Sequence, residues 1–162
     1  MVPPIGANRR SSTDRPYNPG VSRVYTLHDA EAMIPELAVV ADRLQALRAE
    51  VVDLRDAYAL HEAEADESDP ELRRLRLRIR GIVDQMQADA AWLDEREIVL
   101  RDISVGLVDF PAIAAGRSVW LCWRLGEPSI SAWHLVDEGF AGRRPIEELE
   151  PEPDASPHEG AR

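Results

Sequence analysis

The sequence contains no lysine, a single cysteine and no long run of apolar residues. One cysteine, Cys122, cannot form an intramolecular disulfide and indicates a reducing compartment. No apolar run is long enough to span a bilayer, and the N-terminal MVPPIGANRR has no hydrophobic segment. The sequence therefore predicts neither a transmembrane helix nor a signal peptide. We expect a cytoplasmic protein that does not bind membranes.

The charge is strongly acidic. All 19 basic residues are arginines, and 30 acidic residues outnumber them, which gives a net charge of −11. Nucleic acids and most membrane surfaces are themselves anionic, so general nucleic-acid binding is not expected. The 162 residues suit one domain with one modest core.

Composition divides the chain into three parts. Both ends are poor in large apolar residues, and they cannot bury enough surface to offset the entropy lost on ordering. The predicted parts are a disordered N-terminal arm over 1–23, a single α+β domain over 24–146 and a disordered acidic tail over 147–162. Within the domain we expect a helical hairpin over 27–95, a β-meander over 97–135 and a loop over 136–146.

The start of the first helix is indicated by Thr26, a good N-cap, with Asp29 three residues later. Pro35 interrupts the helical pattern, because proline removes an intrahelical donor and clashes with the preceding turn. It is expected either to separate a short helix, Leu27–Ile34, from a long one, or to kink a continuous helix.

A second long helix is predicted to begin at Asp69 as N-cap, with Pro70 in the first helical position. Apolar residues recur at steps of three and four in both helical segments, which predicts an antiparallel coiled-coil hairpin closed by the acidic stretch Glu62–Asp69. Its predicted seam contains Leu44, Leu47, Leu75, Ile79 and Ile82.

Beyond Trp92 the apolar pattern changes from helical to alternating, which predicts about four antiparallel strands. The predicted strands are Ile98–Asp102, Leu107–Ile113, Ser118–Leu125 and Ile130–His134. If simple hairpins join the last three, Asp109 lies opposite Cys122 and Trp120 lies opposite His134. This register buries Trp133 on the helix side and leaves His134 on the outer face, whereas a one-residue slip reverses both.

Polar residues in and after these strands form the candidate ligand site. A small ligand or anion is predicted to contact Asp109, Arg124, His134, Asp137 and Arg143. Arginines bind carboxylates and phosphates in a bidentate manner, and the imidazole can hydrogen-bond or act as a general base. Cys122 is interpreted as a buried small hydrophobe.

Two other interpretations of the same residues remain open. In the first, His134, Asp137, Asp109 and Glu127 hold a metal ion, since imidazole and carboxylate together can ligate Zn²⁺, Mn²⁺ or Fe²⁺. In the second, Asp109–Arg124 and Asp137–Arg143 are structural ion pairs, and His134 bonds a backbone carbonyl. The residues identify no particular cofactor.

Four segments resemble a known family: TLHDAEAMIPEL, GLVDFPA, WLCWRLGE and ISAWHLVDEGFAGRRPI. In this order around a helical hairpin, they are similar to a bacterial family of small uncharacterised proteins, the domain of unknown function 2203. The resemblance runs from about Tyr25 to Ile146, and Asp137 matches an acidic residue typical of the family. It implies a shared fold and assigns no activity, cofactor or catalytic residue.

The sequence thus favours a non-enzymatic protein-interaction or small-ligand-binding module. The alternative is a metal-binding protein or a metal-dependent hydrolase-type enzyme with a His/carboxylate site on the sheet. A two-helix hairpin on a small sheet leaves part of its apolar surface uncovered, so a homodimer or a protein partner is expected.

Overall fold

The computed structural model describes residues 22–64, 66 and 68–150. Within them lie two α-helices, two short 3₁₀ helices and one five-stranded antiparallel sheet, which confirms the predicted α+β class. The helices are α1 (Leu27–Glu62) and α2 (Pro70–Asp94), and the 3₁₀ helices are Phe140–Gly142 and Ile146–Glu148. The strands are β1 (Val99–Asp102), β2 (Leu107–Ala114), β3 (Arg117–Arg124), β4 (Ala132–Leu135) and β5 (Arg144–Pro145).

The fifth strand corrects the expected count of about four. It has two residues and lies in the segment that was predicted to be a loop, where so short a strand leaves no alternating pattern to detect. At the chain ends, residues 1–21 and 151–162 of the predicted arm and tail lie outside the described residues. Leu149 packs against the core, and the domain boundaries remain a prediction.

Helix α1 runs through Pro35 without a break, so the prediction of a separate short helix is wrong. The Thr26 side chain caps the helix by accepting a hydrogen bond from the backbone N–H of Asp29 at 3.1 Å, as predicted. Pro35 itself is exposed, while Ala30 and Leu37 on either side of it are fully buried. Packing of both flanks on the sheet offsets the lost intrahelical hydrogen bond.

Helix α2 begins as predicted, because Asp69 accepts hydrogen bonds from the N–H groups of Glu71 and Leu72, and Pro70 takes the first helical position. The two helices pack as a hairpin with Leu44, Val51, Leu72 and Ile82 among its buried side chains. Of the other predicted seam residues, Leu47, Leu75 and Ile79 are only partly buried. No helix within the described part of the chain is long and apolar enough to cross a membrane.

One charged residue is buried in the helical hairpin. Asp89 of α2 accepts hydrogen bonds from Nε and Nη2 of Arg43 in α1, with 2.8 Å between Nε and Oδ2. Gln85 donates to its Oδ1 at 3.3 Å. These donors engage both carboxylate oxygens, as burial of an ionised group requires.

The sheet is a meander with the order β1-β2-β3-β4-β5. Asp109 pairs with Cys122 across β2 and β3, and Trp120 pairs with His134 across β3 and β4, which confirms both predicted registers. Successive side chains of a strand point to opposite faces. Most large apolar residues of the strands, Trp123 among them, therefore face the helices, and Asp109, Cys122 and His134 lie on the outer face.

The core lies between the inner face of the sheet, α1 and the last turns of α2. Its largest fully buried side chains are Trp123 and Phe110, and the Tyr25 ring meets Phe110 edge to face at 5.2 Å. The α1 residues that join this core lie between Ala30 and Leu44. The buried seam residues Val51, Leu72 and Ile82 fall outside it, so the far half of the hairpin extends beyond the sheet.

The hairpin seam can be tested with two leucines of α2. Leu72 is 1% exposed and Leu77 is 69% exposed. We predict that Leu72→Ala lowers the free energy of unfolding by about 2–4 kcal/mol, because it leaves a cavity between the helices. The matched control, Leu77→Ala, should change it by less than about 0.5 kcal/mol. Urea denaturation measures both, and equal losses would place the seam elsewhere.

Glu97 ties the start of the described chain to the end of α2. Its carboxylate accepts hydrogen bonds from the Ser22 hydroxyl and from the backbone N–H groups of Ser22 and Arg23. These bonds, the Ser22 hydroxyl first, hold the pKa of Glu97 below its ordinary value.

A carboxyl group whose pKa is lowered by folding stabilises the folded state above its unfolded-state pKa. That contribution disappears as the pH falls through the folded pKa. We therefore predict that Glu97→Gln is less stable than the parent at pH 7 and that the difference shrinks in the acidic range. Thermal melting of both proteins from pH 7 to pH 3 measures it, and a difference that grows with acid contradicts the assignment.

Candidate functional site

A cavity of about 320 Å³ opens on the outer face of the sheet. Residues of β1 to β4 and of the segment after β4 form its walls. The lining residues are Arg101, Leu107, Asp109, Trp120, Cys122, His134, Val136, Asp137, Glu138, Gly139 and Arg143.

The floor of the cavity contains a buried carboxylate and a buried imidazole. Asp109 is 2% exposed and His134 is 6% exposed. The Nε2 atom of His134 lies 3.2 Å from Oδ2 of Asp109, and Nε of Arg101 donates to the same oxygen at 2.6 Å. Burial in the protein strengthens the charge-assisted hydrogen bond from Arg101 to Asp109 relative to the same contact in water.

The other ring nitrogen of His134 determines its tautomer. Nδ1 lies 2.8 Å from the backbone carbonyl oxygen of Leu135, which can only accept a hydrogen bond. Nδ1 must therefore carry a proton. With both ring nitrogens protonated, Nε2 donates to Asp109; in the neutral ring, Nε2 turns its lone pair towards that carboxylate.

Cys122 completes the floor. It is 2% exposed, and a sulfur, nitrogen or oxygen atom from each of Cys122, His134 and Asp109 lies within 4.8 Å of the others. Burial raises the pKa of the Cys122 thiol, nearby Asp109 raises it further, and Arg143 opposes both effects. The side chain is therefore a thiol at neutral pH, not a free thiolate nucleophile.

The segment after β4 folds back across the sheet and forms the mouth of the cavity. Strand β5 pairs with β4, and the Trp133 indole donates to the carbonyl oxygen of Pro145 at 3.1 Å. Glycine at position 142 lets this segment pass close to Glu138, because a Cβ at position 142 would lie 2.7 Å from Cβ of Glu138. Asp137 and Arg143 are thereby brought to the same cavity as Asp109 and His134.

Two predicted site residues lie elsewhere. Arg124 is exposed at the end of β3, and its Nη2 is 3.8 Å from Oε1 of Glu127. Glu127 also accepts from the Arg124 N–H at 3.0 Å and from the Ser131 hydroxyl at 3.2 Å. Arg124 ends β3 and Glu127 lies in the β3–β4 turn, and neither residue lines the cavity. The suggested Asp109–Arg124 ion pair is wrong, since Asp109 pairs with Arg101.

The sequence reasoning missed Arg101 and undervalued Cys122. Arg101 belongs to β1, where the register shifts between Leu100 and Asp102, so simple alternation does not position its side chain. Its guanidinium lies over the Trp120 ring at 4.9 Å. The signal for Cys122 was present, because the confirmed register already placed it directly opposite Asp109.

Fold and site together define an α+β protein whose helical hairpin covers one face of a β-meander, with a carboxylate, an imidazole and a thiol at the floor of a cavity on the other. The chain belongs to the family described as uncharacterized conserved protein (DUF2203), which matches residues 23–146 and confirms the resemblance seen in the motifs. No curated protein and no solved structure shows significant similarity to it.

The Arg101–Asp109 contact can be compared with the surface pair Arg124–Glu127. We predict that Arg101→Ala lowers the free energy of unfolding by about 1–3 kcal/mol, because the buried carboxylate loses a charged donor. The control Arg124→Ala removes a surface contact and should cost less than about 0.5 kcal/mol. Chemical denaturation of the two variants checks this, and equal effects would mean that Arg101 does not stabilise Asp109.

Proposed function

We propose that this protein is a non-enzymatic small-ligand-binding module and that the outer-face cavity binds a small organic anion. The observation that carries the proposal is the position of Asp109 and His134. Both are almost fully buried, yet both line an open cavity and lie outside the hydrophobic core. Polar groups that serve packing alone have no need of a cavity beside them.

The chemistry of the walls supports an anion with an apolar part. Arg101 and Arg143 supply positive charge, and the Arg101 side chain is 40% exposed, so a ligand can reach part of its guanidinium. Trp120, Leu107 and Val136 supply apolar surface. A few polar groups among apolar walls are typical of small-molecule sites, and about 320 Å³ lies at the small end of their size range.

The energetics of the floor also support a binding role. An ion pair with one buried member rarely stabilises a fold more than well-packed apolar residues of the same size, because the buried carboxylate loses its hydration. The Arg101–Asp109–His134 group is therefore a poor device for stability alone. As a fixed set of donors and acceptors, it is well suited to orient a ligand.

Location and assembly are part of the proposal. The single buried cysteine and the acidic composition support a cytoplasmic protein that does not bind nucleic acid in general. Exposed apolar side chains on both helices support a homodimer or a protein partner; the largest are Val39, Val52, Leu60 and Leu77. Sedimentation as a monomer at high micromolar concentration would rule out the homodimer.

Anion binding can be measured with inorganic phosphate, succinate and benzoate as probes. We predict saturable shifts of the Trp120 indole and His134 ring resonances in NMR titrations with at least one probe. Arg143→Gln should lower the affinity for that probe about tenfold or more, because a charge-assisted hydrogen bond is lost. The control Arg124→Gln should leave its affinity unchanged, since Arg124 lies outside the lining. Failure of all three probes to bind, or equal weakening by both variants, contradicts the proposal.

A further inference from the structure

We propose that Asp109, Cys122 and His134 form a binding site for a divalent transition-metal ion of the zinc class at the floor of the cavity. The inference deepens the proposed function and rests on the same cavity being the ligand site. It differs from the metal site considered from the sequence, because Cys122 takes the place given there to Asp137 and Glu127.

The ligand atoms converge from three neighbouring strands. Asp109 of β2 and Cys122 of β3 form a direct cross-strand pair, and His134 of β4 lies beside them on the same face. One ligand atom from each lies within 4.8 Å of the other two, and all three residues are buried. The sheet therefore fixes the positions of the three groups before any ion binds.

The spacing suits a tetrahedral ion. Ligand atoms 2.0–2.2 Å from a tetrahedral zinc ion lie about 3.3–3.6 Å from each other. Nε2 of His134 and Oδ2 of Asp109 are 3.2 Å apart, close to that edge length. Since the hydrogen bond from Nδ1 leaves the lone pair on Nε2, a neutral His134 places two acceptors against each other, and a cation between them satisfies both.

The hydrogen bonds made by the proposed ligands are of the types found in known metal sites. A ligating histidine commonly donates its second N–H to a backbone carbonyl, and a ligating carboxylate is usually hydrogen-bonded in turn. Here Nδ1 of His134 contacts the Leu135 carbonyl oxygen, and Arg101 donates to Oδ2 of Asp109. These contacts hold the rotamers of both ligands.

The donor set selects the class of ion. Cys122 binds as a thiolate, so the entering ion displaces the thiol proton to solvent. One thiolate sulfur, one imidazole nitrogen and one carboxylate oxygen favour Zn²⁺ or Co²⁺ over Mg²⁺ and Ca²⁺, which prefer oxygen ligands. Three protein ligands leave a fourth tetrahedral position. Because all three residues line the cavity, that position opens towards it, where an anionic ligand can bind the ion directly.

The test uses Co²⁺ and Zn²⁺ alone, added to the full chain after dialysis against a chelator. We expect Co²⁺ to bind one to one, with tetrahedral visible bands and a sulfur-to-cobalt charge-transfer band, and Zn²⁺ to displace it. Cys122→Ser should abolish the charge-transfer band, and Asp109→Asn should lower the affinity for Co²⁺ about 100-fold or more. The control Glu127→Gln should change neither, and melting without metal checks that each variant folds.

Each outcome decides the inference. Absence of the charge-transfer band in the parent protein overturns it whatever the variants do, and so does retention of that band in folded Cys122→Ser. If the anion probes bind the metal-free protein while Co²⁺ gives no such band, the metal site fails and the proposed function stands. If Co²⁺ binds with the thiolate signature while no anion binds with or without it, the metal site stands and the anion proposal fails.

Discussion

The pairing register of β2, β3 and β4 is the constraint on which the rest of this structure depends. Side chains of a strand alternate between two faces, so one register assigns every residue of the three strands at once. Burying Phe110 and Trp123 against α1 necessarily places Asp109 and Cys122 on the other face. A one-residue slip would turn the carboxylate into the hydrophobic core, where it would have no partner. Packing of the inner face therefore determines the geometry of the outer face.

The helical hairpin leaves that outer face available. The α1 residues of the core end at Leu44, and the remaining length of the hairpin extends beyond the sheet. Among the described residues, it is the chain after β4 that returns over the outer face. It is held by β5 and by packing of Ile146 and Leu149 at the core, and Asp137 and Arg143 from its middle reach the cavity. A short anchored segment thus supplies the walls that the helices do not.

Features set by local chemistry or strict alternation could be predicted from the sequence. The Thr26 and Asp69 caps depend on their own neighbours, and the Trp120–His134 pair follows from the β3–β4 turn length and the burial of Trp133. Features that depend on tertiary packing or irregular backbone could not. The continuity of α1 through Pro35 is decided by flanking contacts with the sheet. The side chain of Arg101 follows a shift of the β1–β2 register that the residue pattern does not reveal.

The candidate site shows the same division. The sequence selected Asp109, His134, Asp137 and Arg143, which the fold does bring to one cavity. It also included Arg124, because a residue on the correct face was assumed to be near the site. A face extends the whole length of a strand, and Arg124 stands at its far end beside Glu127. The alternation of side chains along a strand shows which face of the sheet a residue lies on. Whether two residues on that face are close to each other depends on how all the strands between them are paired.

A second buried carboxylate in the molecule can be compared with the one at the floor of the cavity. Asp89 and Asp109 are both buried carboxylates, and each is paired with a partly exposed arginine. Arg43 and Gln85 satisfy both oxygens of Asp89, which is how a fold buries a carboxylate for structure alone. At Asp109, the arginine and the imidazole both contact Oδ2, and the Cys122 thiol is a further hydrogen-bond partner of the carboxylate.

Asp89 and Asp109 therefore differ in the chemical groups around them, although both are buried. Asp89 lies in a helix seam, whereas Asp109 lines an open cavity with a thiol and an imidazole within 4.8 Å. A carboxylate that served only to satisfy Arg101 would need neither of these neighbours. A carboxylate, an imidazole and a thiol brought together on the face that the core does not use are the arrangement expected of a binding site.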